Sequence, residues 1–350
     1  MTLIKGRESN AITIGGVTVG GGAAVTVQSM TKTDTRDVAD TVAQIRQLAD
    51  AGCEIIRCGV PDAAAAEALR DIKRQSPIPV IADIHFDYRL ALTAIAAGVD
   101  GLRINPGNIG DNDRVKQVVL AAKERQVPIR IGVNGGSLPP EFEPDQPLHR
   151  RMVDSALAQV RLLESLDFDL IKISLKAFDV PETVAAYRLI AALVPYPLHL
   201  GMTEAGTART GIIRSAVGIG TLLAEGIGDT IRVSLSAPPV EEVRAGYEIL
   251  KSLDLRQHGP VLVSCPSCGR TEVNIVSLAE QVAAALETVT KPIKVAVMGC
   301  AVNGPGEAAD ADVGIACGKG QGILFRRGEK VRVVTEAEFL SALLKEVENF

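Results

Sequence analysis

The sequence predicts a (β/α)8 barrel followed by a smaller α+β domain, and three observations carry that expectation. The chain has 350 residues, more than the ~250 to 300 at which one hydrophobic core stops growing. From Val25 to about Leu255, short β-branched runs alternate with longer amphipathic patterns eight times, the signature of parallel βα units. After a short polar linker, LRQHGP, the pattern changes. The expected boundaries are residues 1–254 for the barrel and 260–350 for the second domain. An open doubly wound sheet would need a Gly-rich phosphate turn after its first strand, and QSMTKTDT supplies none.

Taken in order, ITIGGVTVGG reads as a hairpin turning at Gly15-Gly16 and plugging the bottom of the barrel. The eight strand candidates are VTVQSM, EIIRCG, PVIADIH, GLRINPG, IRIGVN, LIKISLK, LHLGMTE and TIRVSLS. Gly52 and Gly98 stand where left-handed residues end helices, and Pro128 just precedes a strand. In the second domain a strand (VLVSC) leads to a long helix (NIVSLAEQVAAALETV) and a strand (IKVAVMGC). A Gly-rich loop, a hairpin (GILFRRGEKVRVV) and a last helix complete it.

Composition narrows function. The 37 Lys+Arg against 42 Asp+Glu give a net charge of -5, and aromatics are 3% with no Trp, so neither the basic footprint nor the stacking aromatics of a nucleic-acid binder is supplied. The longest uncharged stretch, Ala11 to Met30, alternates with period two and is rich in Gly and Thr, which reads as strands rather than a membrane span. The start, MTLIKGRESN, lacks an apolar signal core, so a cytoplasmic protein is expected. There its six cysteines would be reduced or metal-bound.

Barrel enzymes place chemistry at the C-terminal strand ends. Those positions hold Arg57; Asp83 and His85; Arg103 and Asn105; Arg130 and Asn134; Lys172 and Ser174; Thr203 and Glu204; and Arg232 and Ser234. A lone strand-end Arg is commonly paired with a neighbouring carboxylate. Here five cations meet only Asp83 and Glu204, and unpaired buried cations are too costly to keep. The reading is a cationic mouth for a phosphorylated or diphosphorylated small molecule, since Arg grips phosphate oxygens in pairs. Asp83 and His85, two apart on one strand, share a face, so Asp83 can fix the His85 tautomer.

Cys265 and Cys268 form C-P-S-C at a strand end and Cys300 closes the next strand, a metal-site layout. No second close pair completes a zinc ribbon, whereas iron-sulfur sites accept such asymmetry. Glu307, after Gly304-Pro305-Gly306, and Cys317, in GIACGKG, are rival fourth ligands at this point. Cys53 and Cys58 read as small buried hydrophobes.

The motifs ADIHFDYRLA, GLRINPGNIG, HLGMTEAG, CPSCGRT and MGCAVNGPGE, in this order along the chain, resemble the 4-hydroxy-3-methylbut-2-enyl diphosphate synthase family in its two-domain bacterial form. The resemblance implies a two-electron reductive ring opening of 2-C-methyl-D-erythritol 2,4-cyclodiphosphate in non-mevalonate isoprenoid synthesis. It also implies a 4Fe-4S cluster on Cys265, Cys268, Cys300 and Glu307, which makes Cys317 a non-ligand. Arg57, Arg103, Arg130, Lys172 and Arg232 would hold the diphosphate, helped by Asn105, Asn134, Ser174, Thr203 and Ser234. Asp83, His85 and above all Glu204 would serve proton delivery. Reduced flavodoxin or ferredoxin would supply electrons. A head-to-tail homodimer hinged near His258 to Pro260 would bring one chain's cluster domain over the other's barrel. Two rival readings stand beside this one: a pterin-binding-type barrel transferase with a structural zinc ribbon, and a non-catalytic metal-dependent binding module.

Overall fold

The computed structural model describes residues 4–104, 109, 112–138, 142, 145–300, 306 and 308–350. Asn105 and Glu307 therefore lie outside the described residues. The chain divides into two compact units, the first ending at Arg256 and the second spanning Gln257–Phe350.

The first unit opens with a hairpin, β1 (Ile12–Ile14) and β2 (Val17–Val19), paired antiparallel in the register Ile14↔Val17. Gly15 (φ 54°) and Gly16 (φ 94°) make its turn in a backbone region that side chains disfavour. Eight parallel strands follow: β3 (Thr26–Met30), β4 (Ile55–Val60), β5 (Val80–Ile84), β6 (Gly101–Ile104), β7 (Ile129–Asn134), β8 (Ile171–Lys176), β9 (His199–Leu200) and β10 (Thr230–Ile231). Their order is β8-β7-β6-β5-β4-β3-β10-β9, and a parallel bridge Ile173↔Leu198 joins the two ends, closing the barrel. β9 and β10 are shorter than the expected runs. Beyond Leu200 and Ile231 the chain stays outside the ladder, with Arg232 N donating to the Leu200 carbonyl at 3.0 Å.

The helices are α1 (Val38–Asp50), α2 (Ala63–Gln75), α3 (Tyr88–Ala97), α4 (Asn112–Glu124), α5 (Leu148–Glu164), α6 (Val180–Leu193), α7 (Ala208–Ala224) and α8 (Pro239–Ser252). Asp37, Asp62, Asp87 and Asp179 cap four of them by accepting from backbone N–H groups of the first turn. The apolar faces of these helices meet outward strand residues such as Ile56, Ile84, Leu102, Ile131 and Ile173 in one continuous core. Cys53 and Cys58 lie in that core, their thiols pushed up to about 12 and about 11 by burial.

Inside the barrel the bottom is sealed by a separate cluster, Ile12, Ile14 and Val19 of the hairpin against Ile55 and Ile81. Above this plug the interior is polar. Arg57, Asp83, Arg103, Arg130, Lys172, His199 and Thr230 are all buried, in place of the branched apolar layers that usually fill such barrels.

The second unit is a five-stranded sheet: β11 (Val261–Ser264), β12 (Lys294–Met298), β13 (Val313–Gly318), β14 (Gln321–Arg326) and β15 (Glu329–Thr335) in sequential order. The first three strands are parallel and the last three antiparallel. Helices α9 (Ile275–Leu286) and α10 (Phe339–Glu348) pack on one face through Ile275, Val282, Phe339 and Leu343. β13 is the central strand and carries Cys317, as expected for a residue on or near a strand in GIACGKG.

Candidate active site

Side chains two apart on a strand share a face, so the inward rows of β4 to β8 climb from the plug to the mouth. The register runs Asp83↔Arg103, Arg103↔Arg130 and Arg130↔Lys172, which lays one carboxylate and three cations side by side. A cavity of ≈ 110 Å³ opens above them. It is lined by Arg57, Asp83, His85, Arg103, Arg130, Asn134, Ser174, Lys176, Met202, Thr203, Arg232 and Ser234.

Asp83 is the hub. Its Oδ2 lies 3.4 Å from Arg57 Nε and 3.4 Å from His85 Nε2, and its Oδ1 lies 3.2 Å from Arg103 Nη1. Burial opposes ionisation of this carboxyl. Arg57, the His85 hydrogen bond and Arg103 outweigh it and hold Asp83 well below the usual carboxylate range. Arg57 also reaches Met30 Sδ, and Arg103 Nη2 donates to the Gly132 carbonyl at 3.3 Å. A Cβ on Gly132 would collide with the Arg103 guanidinium, so glycine there is what admits the arginine.

The second carboxylate is Glu242 on α8, which the sequence reading did not find. It is 1 % exposed, lies 3.4 Å from Arg232 Nη2 and 3.0 Å from Lys32 Nζ, and accepts from Leu235 N at 3.0 Å. Glu204, expected to share the neutralisation, does not. It is exposed, outside the cavity lining, and turned by a left-handed backbone (φ 54°) in the loop where β9 has left the ladder. Lys172 also sits off the cavity wall, one inward position below Ser174. Lys176, two residues further along the same face, lines the wall in its place, and the period-two spacing of LIKISLK would have revealed it.

The charge count sharpens the demand for an anion. Among the described residues six inward cations, Arg57, Arg103, Arg130, Lys172, Lys176 and Arg232, form ion pairs only with Asp83 and Glu242. Arg130 Nε, Arg130 Nη1 and Lys172 Nζ are buried with no hydrogen-bond partner. Burial first, then the neighbouring cations, pushes Arg130, Lys172 and Lys176 well below their ordinary values; Arg57 falls to about 10, again chiefly by burial. A guanidinium does not give up its proton in a protein, so for the arginines this cost is one that a bound anion would relieve.

In the second unit Cys265 follows β11 and Cys300 follows β12, at the same end of adjacent parallel strands. Gly299 N donates to Cys265 Sγ at 3.2 Å. The C-P-S-C turn is held by Ser267 (φ 58°) and by Cys268 N donating to Thr271 Oγ1 at 3.0 Å. Hydrogen bonds from Arg270 lower the exposed Cys268 thiol. Cys317, wholly buried on β13, is pushed up to about 12 by burial. Among the described residues no three His, Cys, Asp or Glu side chains gather closely enough to hold a single ion. The fit therefore rests on donor chemistry: three free, partly accessible cysteines, one already accepting an N–H and one lowered toward thiolate, are suited to iron and sulfide.

Fold and site together define a two-domain protein with a cationic (β/α)8 barrel and a cysteine-bearing α+β domain. The chain matches the family described as GcpE TIM-barrel domain over residues 9–247 and the GcpE protein C-terminal domain over residues 261–349, and it belongs to that family. A Dehalococcoides mccartyi protein named 4-hydroxy-3-methylbut-2-en-1-yl diphosphate synthase (flavodoxin) is 64% identical over 345 residues, 99% of each chain. A Geobacter sulfurreducens protein of the same name is 62% identical over 344 residues, 98% of each chain. Among solved structures, Xanthomonas albilineans dihydropteroate synthase in complex with 7,8-dihydropteroate superposes with a TM-score of 0.52 at 16% identity, covering 70% of this chain and 98% of that one. That likeness shows the barrel fold alone. Among the described residues no helix is long and apolar enough to cross a membrane.

Proposed function

We propose that the chain catalyses the reductive ring opening of 2-C-methyl-D-erythritol 2,4-cyclodiphosphate to 4-hydroxy-3-methylbut-2-enyl diphosphate, the product in the name its relatives carry. The observation that carries this reading is the surplus of buried cations around a barrel-mouth cavity, in a chain whose second domain presents three free cysteines. Arg57, Arg103, Arg130, Lys176 and Arg232 grip the diphosphate, with Lys172 adding positive potential from below. Asn134, Ser174, Thr203 and Ser234 supply hydrogen bonds from the same wall, and Asn105 completes the set.

The ring opening takes up two electrons and protons and releases one hydroxyl as water. Ionised Asp83 orients His85, the group on the cavity wall assigned to deliver a proton to the departing oxygen, with Glu204, on the exposed loop after β9, as the second candidate. The left-handed backbone of Glu204 costs on the order of 1 kcal/mol, strain of the kind that collects at functional loops. A 4Fe-4S cluster held by Cys265, Cys268, Cys300 and Glu307 would supply the electrons singly, with flavodoxin as their source, as the relatives' name states. Cys317 is left out of the ligand set because it is fully buried in the apolar cluster around β13, whereas Cys265, Cys268 and Cys300 are at least partly accessible.

Anaerobic purification tests this directly. The wild type is expected to be brown, with about four iron and four sulfide per chain, and to convert the cyclodiphosphate with a chemical reductant. Ser in place of Cys265, Cys268 or Cys300 is expected to abolish iron retention, and Cys317→Ser to preserve it. A colourless zinc protein without turnover would overturn the reading in favour of the transferase with a zinc ribbon. Because cavity and cysteines belong to separate units, we assign the working enzyme a head-to-tail homodimer. Specific activity is expected to fall on dilution below the dimer dissociation constant, and full activity from a monomer in sedimentation would refute the assignment.

A further inference from the structure

His199 is a fully buried (0 %) imidazole on β9 that no step above uses. Its Nε2 lies 3.3 Å from Lys176 Nζ and its Nδ1 lies 2.6 Å from Thr230 Oγ1. An ammonium has three donors and no acceptor. With Lys176 held as an ammonium by the bound anion, Nε2 accepts from it and the ring proton stands on Nδ1, donated to Thr230. The imidazole is itself anchored: Tyr187 Oη donates to the His199 carbonyl at 2.5 Å and accepts from Leu175 N at 3.0 Å, tying β9 to β8. Gly201 leaves the slot through which the lysine reaches this contact. A Cβ there would stand 2.5 Å from Lys176 Nζ and 2.6 Å from the Arg232 carbonyl oxygen.

We propose that His199 is a positioning residue: a neutral acceptor which, with Thr230 and Gly201, seats the Lys176 ammonium on the cavity wall to meet a diphosphate oxygen. This rests on the anion-binding reading of the cavity. The physical gain is pre-organisation. A free lysine loses up to about 2 kcal/mol of side-chain entropy when immobilised, and a chain already held at its tip has paid that cost before the ligand arrives. His199 is unsuited to donate protons itself. Burial, then Lys176, Arg130, Lys172 and Arg57, all act to lower its pKa and keep it neutral.

The test is calorimetric titration of the purified full chain with inorganic pyrophosphate, with thermal unfolding as a control. Lys176→Met is expected to weaken binding about tenfold. His199→Gln, whose Oε1 can replace Nε2, is expected to stay within about threefold of wild type. His199→Asn, whose amide replaces Nδ1 only, is expected to approach the Lys176→Met loss. Adding Lys176→Met to His199→Asn should weaken binding no further than Lys176→Met alone. Equal affinities for the Gln and Asn variants would overturn the positioning role. Pyrophosphate binding that survives Lys176→Met yet is lost in Arg130→Met overturns it too, while the anion reading stands; no binding by wild type overturns both. Because the chain holds only four histidines, the His199 tautomer can be read by 15N NMR on wild-type protein. A proton on Nε2 rather than Nδ1 would overturn the proposal without any variant.

Discussion

At the residue scale the barrel interior turns on one carboxylate. Asp83 contacts Arg57, Arg103 and His85 at once, so Asp83→Asn leaves two buried guanidinium groups without their counter-charge. Breaking a buried pair from one side typically costs about 3 to 5 kcal/mol, and we expect a lower unfolding midpoint of that order without ligand, partly restored by pyrophosphate. The pH dependence has a definite sign. Asp83 has a folded pKa below its unfolded value, so its stabilisation is present above the unfolded pKa near ~3.9 and is lost as pH falls through the folded one. Wild type should therefore lose its advantage over Asp83→Asn only in strong acid, measured by denaturant titration across pH. Arg57, Arg103, Arg130 and Arg232 were legible because strand ends in this fold are where chemistry sits. Glu242 was not, because its partner Arg232 is ten residues earlier and meets it only when α8 packs on the barrel against β3 and the edge of β10.

At the element scale the hairpin does what its sequence implied. Ile14, 1 % exposed, meets Ile55 and Ile81 at the barrel floor, and Ile14→Ala removes most of that plug side chain. We expect a loss of about 2 to 5 kcal/mol in denaturant unfolding, with pyrophosphate affinity little changed because the cavity lies at the opposite end. β9 shows where element reading stops. LHLGMTE has the composition of a full strand, yet only His199 and Leu200 form one, with a single bridge at Leu198 before it. At the next position a side chain would meet the Lys176 amine and the Arg232 carbonyl, and Gly201 stands there instead, a three-strand arrangement that no single segment encodes. β13 is the opposite case: its glycines and small residues give a weak local strand signal, and its stability comes from having β12 and β14 on both sides.

At the scale of the whole molecule, the barrel holds more positive charge than its own carboxylates balance. Lys172 is the clearest reporter, 1 % exposed with its amine unpartnered. Its folded pKa is depressed by burial, so below the unfolded value near ~10.4 the unfolded chain binds more protons, and stability rises with pH through that window. Lys172→Met is accordingly expected to melt above wild type at neutral pH without anion, the difference closing as pH approaches ~10. A gap independent of pH between 7 and 10 would refute this.

The sequence by itself determined the two-domain architecture, the eight βα units, the floor hairpin and the gathering of cations and cysteines at strand ends. Those features are written in local periodicity and spacing, which a pleated strand or a turn reads directly. Only the tertiary structure decided which carboxylates answer which cations, that Lys176 rather than Lys172 faces the cavity, that Glu204 stands outside it, and that His199 grips a lysine from the neighbouring strand. Pairing across a closed barrel depends on register and on which helix covers which strand, and neither quantity exists until the chain has closed on itself.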